Sequence, residues 1–260
     1  MMNHVEKIRT KLASGGVVSC VAVSSVDPAV TELLGQTGVD TVFLDLEHGL
    51  LDLETTNVHL MVAHGTGMGA LIRVPSFDPV AIKPILDLQP TALIVPRIES
   101  PQEAATAVRA CKYPPKGVRG YAPRRGWRYG AISKDDYLKD ADDQTLVIIQ
   151  IEDIKAVQSL DEILAIPGVD SVVLGPNDLA ASMGLLGQIT HPKVVEAMEH
   201  TISTSKAHGV PVGVAAASDP DSVKRWIKMG LQWLMLGSDL TFLFEGAQQR
   251  VQALERMIDS

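Results

Sequence analysis

Leu146-Val147-Ile148-Ile149-Gln150-Ile151-Glu152 is the stretch on which the fold turns. Its apolar, mostly β-branched residues do not alternate with polar ones, as in a strand covered on both faces. Working outward, seven further runs of this kind lie at 17–23, 41–46, 70–74, 92–96, 169–174, 210–214 and 233–236. Helical patterns separate them. One covers 28–36, with Asp27 as candidate cap and Pro28 in the first turn. Others open at Asp78-Pro79 and Ser100-Pro101, cover 194–208 and 221–229, and end in a long stretch at 241–257. Strand and helix in alternation argue for parallel βαβ units. Eight such units in 260 residues argue for an α/β fold, a single (β/α)8 TIM barrel filling 1–260. A doubly wound open sheet is the alternative.

Composition narrows the partners. The net charge is −8, the pI about 5.3, and aromatic residues make up 4%. Nucleic-acid binding needs a basic face or stacking rings, so no nucleic-acid partner is expected. No run of eighteen apolar residues occurs, so no membrane span is expected. Residues 1–11 are polar and mixed in charge, without the apolar core of a signal peptide. Cys20 and Cys111 are the only cysteines, which argues against a disulfide framework and for a cytoplasmic location.

Chemistry in a barrel sits at the C-terminal ends of the strands. Those ends carry Asp45, Glu47 and His48, then Arg73, then Arg97 and Glu99, then Gln150, Glu152 and Asp153, then Asn177 and Asp178. Period two puts Asp45 and Glu47 on one face of their strand, and Gln150 and Glu152 on one face of theirs. Carboxylates brought together repel one another unless a cation joins them. Oxygen-only ligands suit Mg²⁺ or Mn²⁺, with Co²⁺ a further candidate. Glu152 and Asp178 are the first choice as metal ligands; a salt bridge and a plain helix cap are their structural alternatives. His48 reads as an acid/base whose ring Asp45 could orient, or as a structural histidine. Arg73 reads as an oxyanion stabiliser, or as the ion-pair partner of a nearby carboxylate. The other histidines read as surface or packing residues.

Two absences exclude chemistry. No lysine lies inside the eight runs, which disfavours an imine-forming aldolase. Gly65-Thr66-Gly67-Met68-Gly69 precedes a strand instead of following one, so it fails the context of a dinucleotide loop. The insertion at 113–143 carries Arg119, Arg124, Arg125 and Arg128 among prolines, glycines and aromatic residues. It reads as a solvated surface loop or as an anion-facing wall over a substrate, and its charge in an acidic chain favours the second.

With these residues in hand, the chain resembles the HpcH/HpaI aldolase family. The matching stretches are Phe43-Leu44-Asp45-Leu46-Glu47-His48-Gly49, Arg73-Val74-Pro75, Ile94-Val95-Pro96, Tyr113-Pro114-Pro115-Lys116-Gly117-Val118-Arg119-Gly120, Gln150-Ile151-Glu152, Gly168-Val169-Asp170 and Gly175-Pro176-Asn177-Asp178-Leu179. The resemblance implies a class II, metal-dependent lyase that cleaves 4-hydroxy-2-oxo acids reversibly to pyruvate and an aldehyde through a pyruvate enolate. It implies that Glu152 and Asp178 hold the metal with Gln150 beside it. The amides of Asn177 and Asp178 would bind the pyruvate carboxylate, His48 paired with Asp45 would be the acid/base, and Arg73 would contact the enolate oxygen. It also implies a homo-oligomer built from dimers, commonly a hexamer, with the last helix swapped between subunits. Arg119, Arg124 and Arg128 suggest an aldehyde that carries a carboxylate. Condensation of oxaloacetate with an acyl thioester, as in siderophore-type citrate synthesis, is the alternative on the same fold. A mutase or isomerase would release no aldehyde, and a binding protein would turn nothing over.

Overall fold

A computed structural model describes residues 4–215 and 219–259. Eight parallel strands pair in chain order and close into a barrel: β1 (Val18–Val23), β2 (Thr41–Asp45), β3 (Gly69–Arg73), β4 (Ala92–Val95), β5 (Leu146–Ile151), β6 (Ser171–Leu174), β7 (Val212–Val214) and β8 (Leu231–Ser238). The expected (β/α)8 barrel is the observed fold, and the open-sheet alternative falls.

The outer layer is helical. The helices, in chain order, are α1 (His4–Ala13), α2 (Ala29–Leu34), α3 (Leu53–Gly65), α4 (Pro79–Asp87), α5 (Pro101–Cys111), α6 (Lys134–Leu138), α7 (Ile154–Gln158), α8 (Leu160–Leu164), α9 (Pro176–Ser182), α10 (Pro192–Ala207), α11 (Pro220–Met229) and α12 (Asp239–Ile258). Caps set several starts: the Asp52, Asp78 and Ser100 side chains accept amides at the openings of α3, α4 and α5.

Period two along each strand divides the core. Outward residues such as Val42, Leu44, Ile72, Val95 and Ile149 join the helices in one apolar cluster. Inward residues Cys20, Phe43, Leu71, Ile94, Ile148, Val173 and Trp233 fill the barrel. Helix α1 was not expected in the polar N-terminus. Its Val5, Ile8 and Leu12 pack against Val18, Ala92 and Leu146 and plug the barrel's N-terminal end. That spacing of three and four is a helical stripe too narrow to stand out beside six polar neighbours.

Topology decides where the basic insertion lies. It joins the C-terminus of α5 to the start of β5, so it runs over the N-terminal face of the barrel, opposite the catalytic end. Among the described residues, no helix is long and apolar enough to cross a membrane.

Candidate active site

The strand register builds the site. Asp45 and Arg73 are Cα partners at the ends of β2 and β3. They continue the inward rows of Phe43 and Leu71 by one period, so their side chains meet above the apolar filling. Arg73 Nε donates to Asp45 Oδ1 at 2.9 Å, and Nη2 donates to Oδ2 at 2.5 Å. Arg73 Nη1 lies 3.3 Å from a Glu47 carboxylate oxygen, and the guanidinium sits 5.6 Å from the centre of the Phe43 ring. Burial alone would raise the Asp45 carboxyl, but the bonds from Arg73 outweigh it and hold it below the usual carboxylate range.

The expectation that Asp45 orients the His48 ring is corrected. Both Asp45 oxygens face Arg73, and Oδ1 also accepts the backbone amides of Glu47 and His48 at 3.0 and 3.3 Å. Asp45 therefore shapes the turn that carries His48 without touching its ring. The nearest carboxylate to that ring is Glu47, whose Oε2 lies 3.9 Å from His48 Nε2. Burial raises the Glu47 carboxyl, Arg73 and His48 oppose the rise, and Asp45 adds to it.

Glu152 follows β5 and is buried. Its Oε1 accepts the backbone amide of Arg97 at 2.7 Å, and its Oε2 accepts the side-chain amide of Gln150. Burial raises its carboxyl; the Arg97 amide and Gln150 oppose the rise, and the charges of Glu47 and Asp178 reinforce it. Gly175, one period beyond Val173, makes room for this pair. A Cβ there would stand 2.8 Å from Glu152 Oε2 and 3.0 Å from Gln150 Nε2.

Glu47, His48, Arg97, Glu99, Glu152, Asp153, Asp178 and Ser182 line one open cavity of about 340 Å³ at the C-terminal mouth. Glu152, Asp178 and His48 thus line one cavity, while Asp45, Arg73 and Gln150 stand behind its wall. Among the described residues, no three His, Cys, Asp or Glu form a ready metal cluster. The donor set nonetheless fits a hard divalent cation. Two carboxylates and a neighbouring amide would supply part of its coordination, with substrate and water supplying the rest. Burial raises Glu152 first and the charges of Glu47 and Asp178 add to it, and such a cation would offset both.

Arg119 and Arg128 are corrected as substrate-binding residues of their own barrel. Arg119 is buried; it donates to the Leu86 carbonyl at 3.1 Å, pairs with Asp87 at 3.4 Å and stacks 4.5 Å over Tyr113. Arg128 is exposed on the same loop, on the face away from the cavity. Their charge was legible in the sequence, but the loop's place between a helix end and a strand start decides the face.

The HpcH/HpaI aldolase/citrate lyase profile matches residues 19–245. A 5-keto-4-deoxy-D-glucarate aldolase from Salmonella arizonae is 36% identical over 230 residues, which is 88% of this chain and 89% of that one. A solved HpcH/HpaI aldolase/citrate lyase family protein from Burkholderia cenocepacia is 31% identical, with a TM-score of 0.87 over 96% of this chain and 99% of that one. The solved citrate synthase SbnG is 25% identical, with a TM-score of 0.85 over 97% and 98%. The chain belongs to the HpcH/HpaI aldolase/citrate lyase family.

Proposed function

We propose that the protein is a class II aldolase that cleaves 4-hydroxy-2-oxo acids of the sugar-acid type to pyruvate and an aldehyde, reversibly. The observation that carries this reading is Glu152: a buried carboxylate, pinned through both oxygens, facing Asp178 in an open cavity. The family is divalent-metal dependent, and Glu152 and Asp178 are the residues that would hold Mg²⁺ or Mn²⁺ here. Bound there, the cation would supply Lewis-acid stabilisation of enolate charge.

This chain's residues do the rest. His48, exposed on the cavity wall, takes the proton of the C4 hydroxyl, directly or through water. The C4–O bond becomes the aldehyde carbonyl as the C3–C4 bond breaks, and its electron pair passes to the enolate of pyruvate. A proton delivered to C3 completes pyruvate. Arg73, fixed by Asp45 and Glu47, adds positive charge beside the enolate oxygen. The amides of Asn177 and Asp178 lie in the first turn of α9, where helices leave amides without partners; the first helical bond of this one is Leu179 N–H to Gly175 O. We assign them the pyruvate carboxylate. Helix α12 has no buried residue within one chain, and we read it as exchanged between subunits of a dimer-based oligomer such as a hexamer.

The test needs no knowledge of the aldehyde. Metal-stripped protein is given Mg²⁺ or Mn²⁺, and exchange of the pyruvate methyl protons into D₂O is followed by NMR. Metal-dependent exchange that is lost in Glu152→Gln is expected. A folded, metal-bound protein that leaves pyruvate unexchanged would overturn the reading and favour oxaloacetate with a thioester.

A further inference from the structure

Arg97 is the residue that the aldolase reading leaves unused. It follows β4 with a backbone φ of 59°, in the left-handed region that only glycine enters freely. Strict alternation would put it on the outward face with Val95, among the helices. The left-handed turn breaks the alternation with two results. The Arg97 amide reaches Glu152 at 2.7 Å, and its side chain joins the cavity wall.

The charges around it can be assigned in turn. Five carboxylates line the cavity: Glu47, Glu99, Glu152, Asp153 and Asp178. Glu47 is held by Arg73 at 3.3 Å, and Glu99 by Lys155 at 2.5 Å. Asp153 accepts the Lys155 amide at 2.8 Å, and Glu152 is occupied by Gln150 and the Arg97 backbone. Asp178 stands with Glu152 at the proposed metal position. Among the described residues, the Arg97 guanidinium forms no ion pair, although its charge is felt at Glu47. An aldehyde bearing a carboxylate would be repelled by such a wall unless a cation met it, and among the described residues that line the cavity Arg97 is the one permanent cation without a carboxylate partner.

We propose that Arg97 binds the carboxylate of an anionic aldehyde partner and so sets the acceptor preference of the enzyme. This rests on the aldolase reading. A guanidinium fork suits a carboxylate, and a charge-assisted pair of this kind accounts for roughly tenfold to hundredfold in affinity.

The test compares condensation of pyruvate with glyoxylate and with glycolaldehyde, two aldehydes of equal length that differ in charge. The quantity read is the ratio of their kcat/KM values in wild type, Arg97→Met and Arg97→Gly. Glycine accepts the left-handed backbone, so that variant separates the guanidinium from any strain. The expected result is a tenfold to hundredfold fall of the ratio in both variants, carried by the KM for glyoxylate, with part recovered in Arg97→Lys. An unchanged ratio in both variants, alongside pyruvate exchange by the wild type, overturns the Arg97 assignment alone. Absence of pyruvate exchange in the wild type overturns the aldolase reading, and this proposal with it.

Discussion

Asp45 and Arg73 are neighbours in register at the ends of β2 and β3, and they form a bidentate pair of 2.9 and 2.5 Å above the Phe43 ring. The relationship follows from the barrel. Adjacent parallel strands in this register must bring residues 45 and 73 to the same height and the same face. A guanidinium placed there meets one carboxylate beside it and a second, Glu47, two residues further along. Arg73 is thereby fixed at the rim while its charge stays available to the cavity.

Asp45→Asn should therefore damage both stability and turnover. It leaves a largely buried guanidinium with one carboxylate in place of two, which costs about 2–3 kcal/mol. The Asp45 carboxyl titrates below its unfolded value, so its contribution is complete above roughly pH 4 and is lost as pH falls through the folded value. Urea unfolding of both proteins at pH 7 and at pH 3 checks this. The gap between them should narrow at the lower pH, and a gap that is constant with pH would mean that the pair is not its source.

His48→Ala should keep Mn²⁺ affinity and lose turnover by about 10²–10⁴-fold, the range of a positioned acid/base. His48 is exposed and lies on the cavity wall beside Glu47, away from the barrel core. Its removal should leave the thermal midpoint unmoved. Titration of Mn²⁺ alongside kinetics separates the outcomes. Unchanged turnover would remove His48 from the mechanism.

Gly175→Ala tests the cradle around Glu152. The added methyl would meet Glu152 Oε2 at 2.8 Å and both Gln150 Nε2 and Glu152 Cβ at 3.0 Å. Overpacking of this kind costs about 1–3 kcal/mol, and here the atoms that must move belong to the proposed metal ligand. Weakened Mn²⁺ binding together with lowered stability is expected. Binding equal to wild type, measured by calorimetry, would show that Glu152 can shift without consequence.

Much of this site was legible because period two is local. Asp45 with Glu47, and Gln150 with Glu152, follow from the strand pattern alone, and both pairs share partners or a bond in the structure. What the pattern could not supply was anything set by tertiary context. The partner of Asp45 depends on the register between two strands, and that partner is Arg73 instead of the His48 ring. The place of Arg119 depends on which end of the barrel its loop spans. The direction of Arg97 depends on one left-handed residue that breaks the alternation, and no local signal such as glycine marks it.

The N-terminal face should make stability depend on pH. His64 stacks on His4 with ring centres 4.3 Å apart, and Arg125 donates to its Nδ1 at 3.3 Å. The proton then sits on Nε2 and is donated to Thr91 Oγ1 at 3.1 Å, which fixes a neutral ring. Burial, then the charges of His4 and Arg125, push its pKa down to about 3. A histidine held neutral in the fold contributes fully above its unfolded value of about 6.5 and loses that contribution as pH falls from there towards the folded value. At pH 5.5 the loss from His64 alone is roughly 1 kcal/mol. The unfolding free energy should be lower at pH 5.5 than at pH 7.5, and the difference should be smaller in His64→Gln. Equal slopes in the two proteins would show that His64 titrates normally.

The final helix carries the last expectation. In a barrel the eighth helix ordinarily covers the seam between the last strand and the first, yet α12 buries none of its residues. Leu240, Leu243, Phe244, Val251 and Leu254 are all more than half exposed within one chain. Their burial offers roughly 1.5–3 kcal/mol for each large side chain, a sum that favours association over isolation. Under the proposed exchange, a second copy would supply the matching surface. Leu243→Glu with Phe244→Glu should therefore convert a dimer or larger assembly into a monomer with its barrel intact, read by sedimentation and circular dichroism. A wild type that sediments as a monomer at micromolar concentration would end the exchange proposal, since the uncovered helix would then be stable alone.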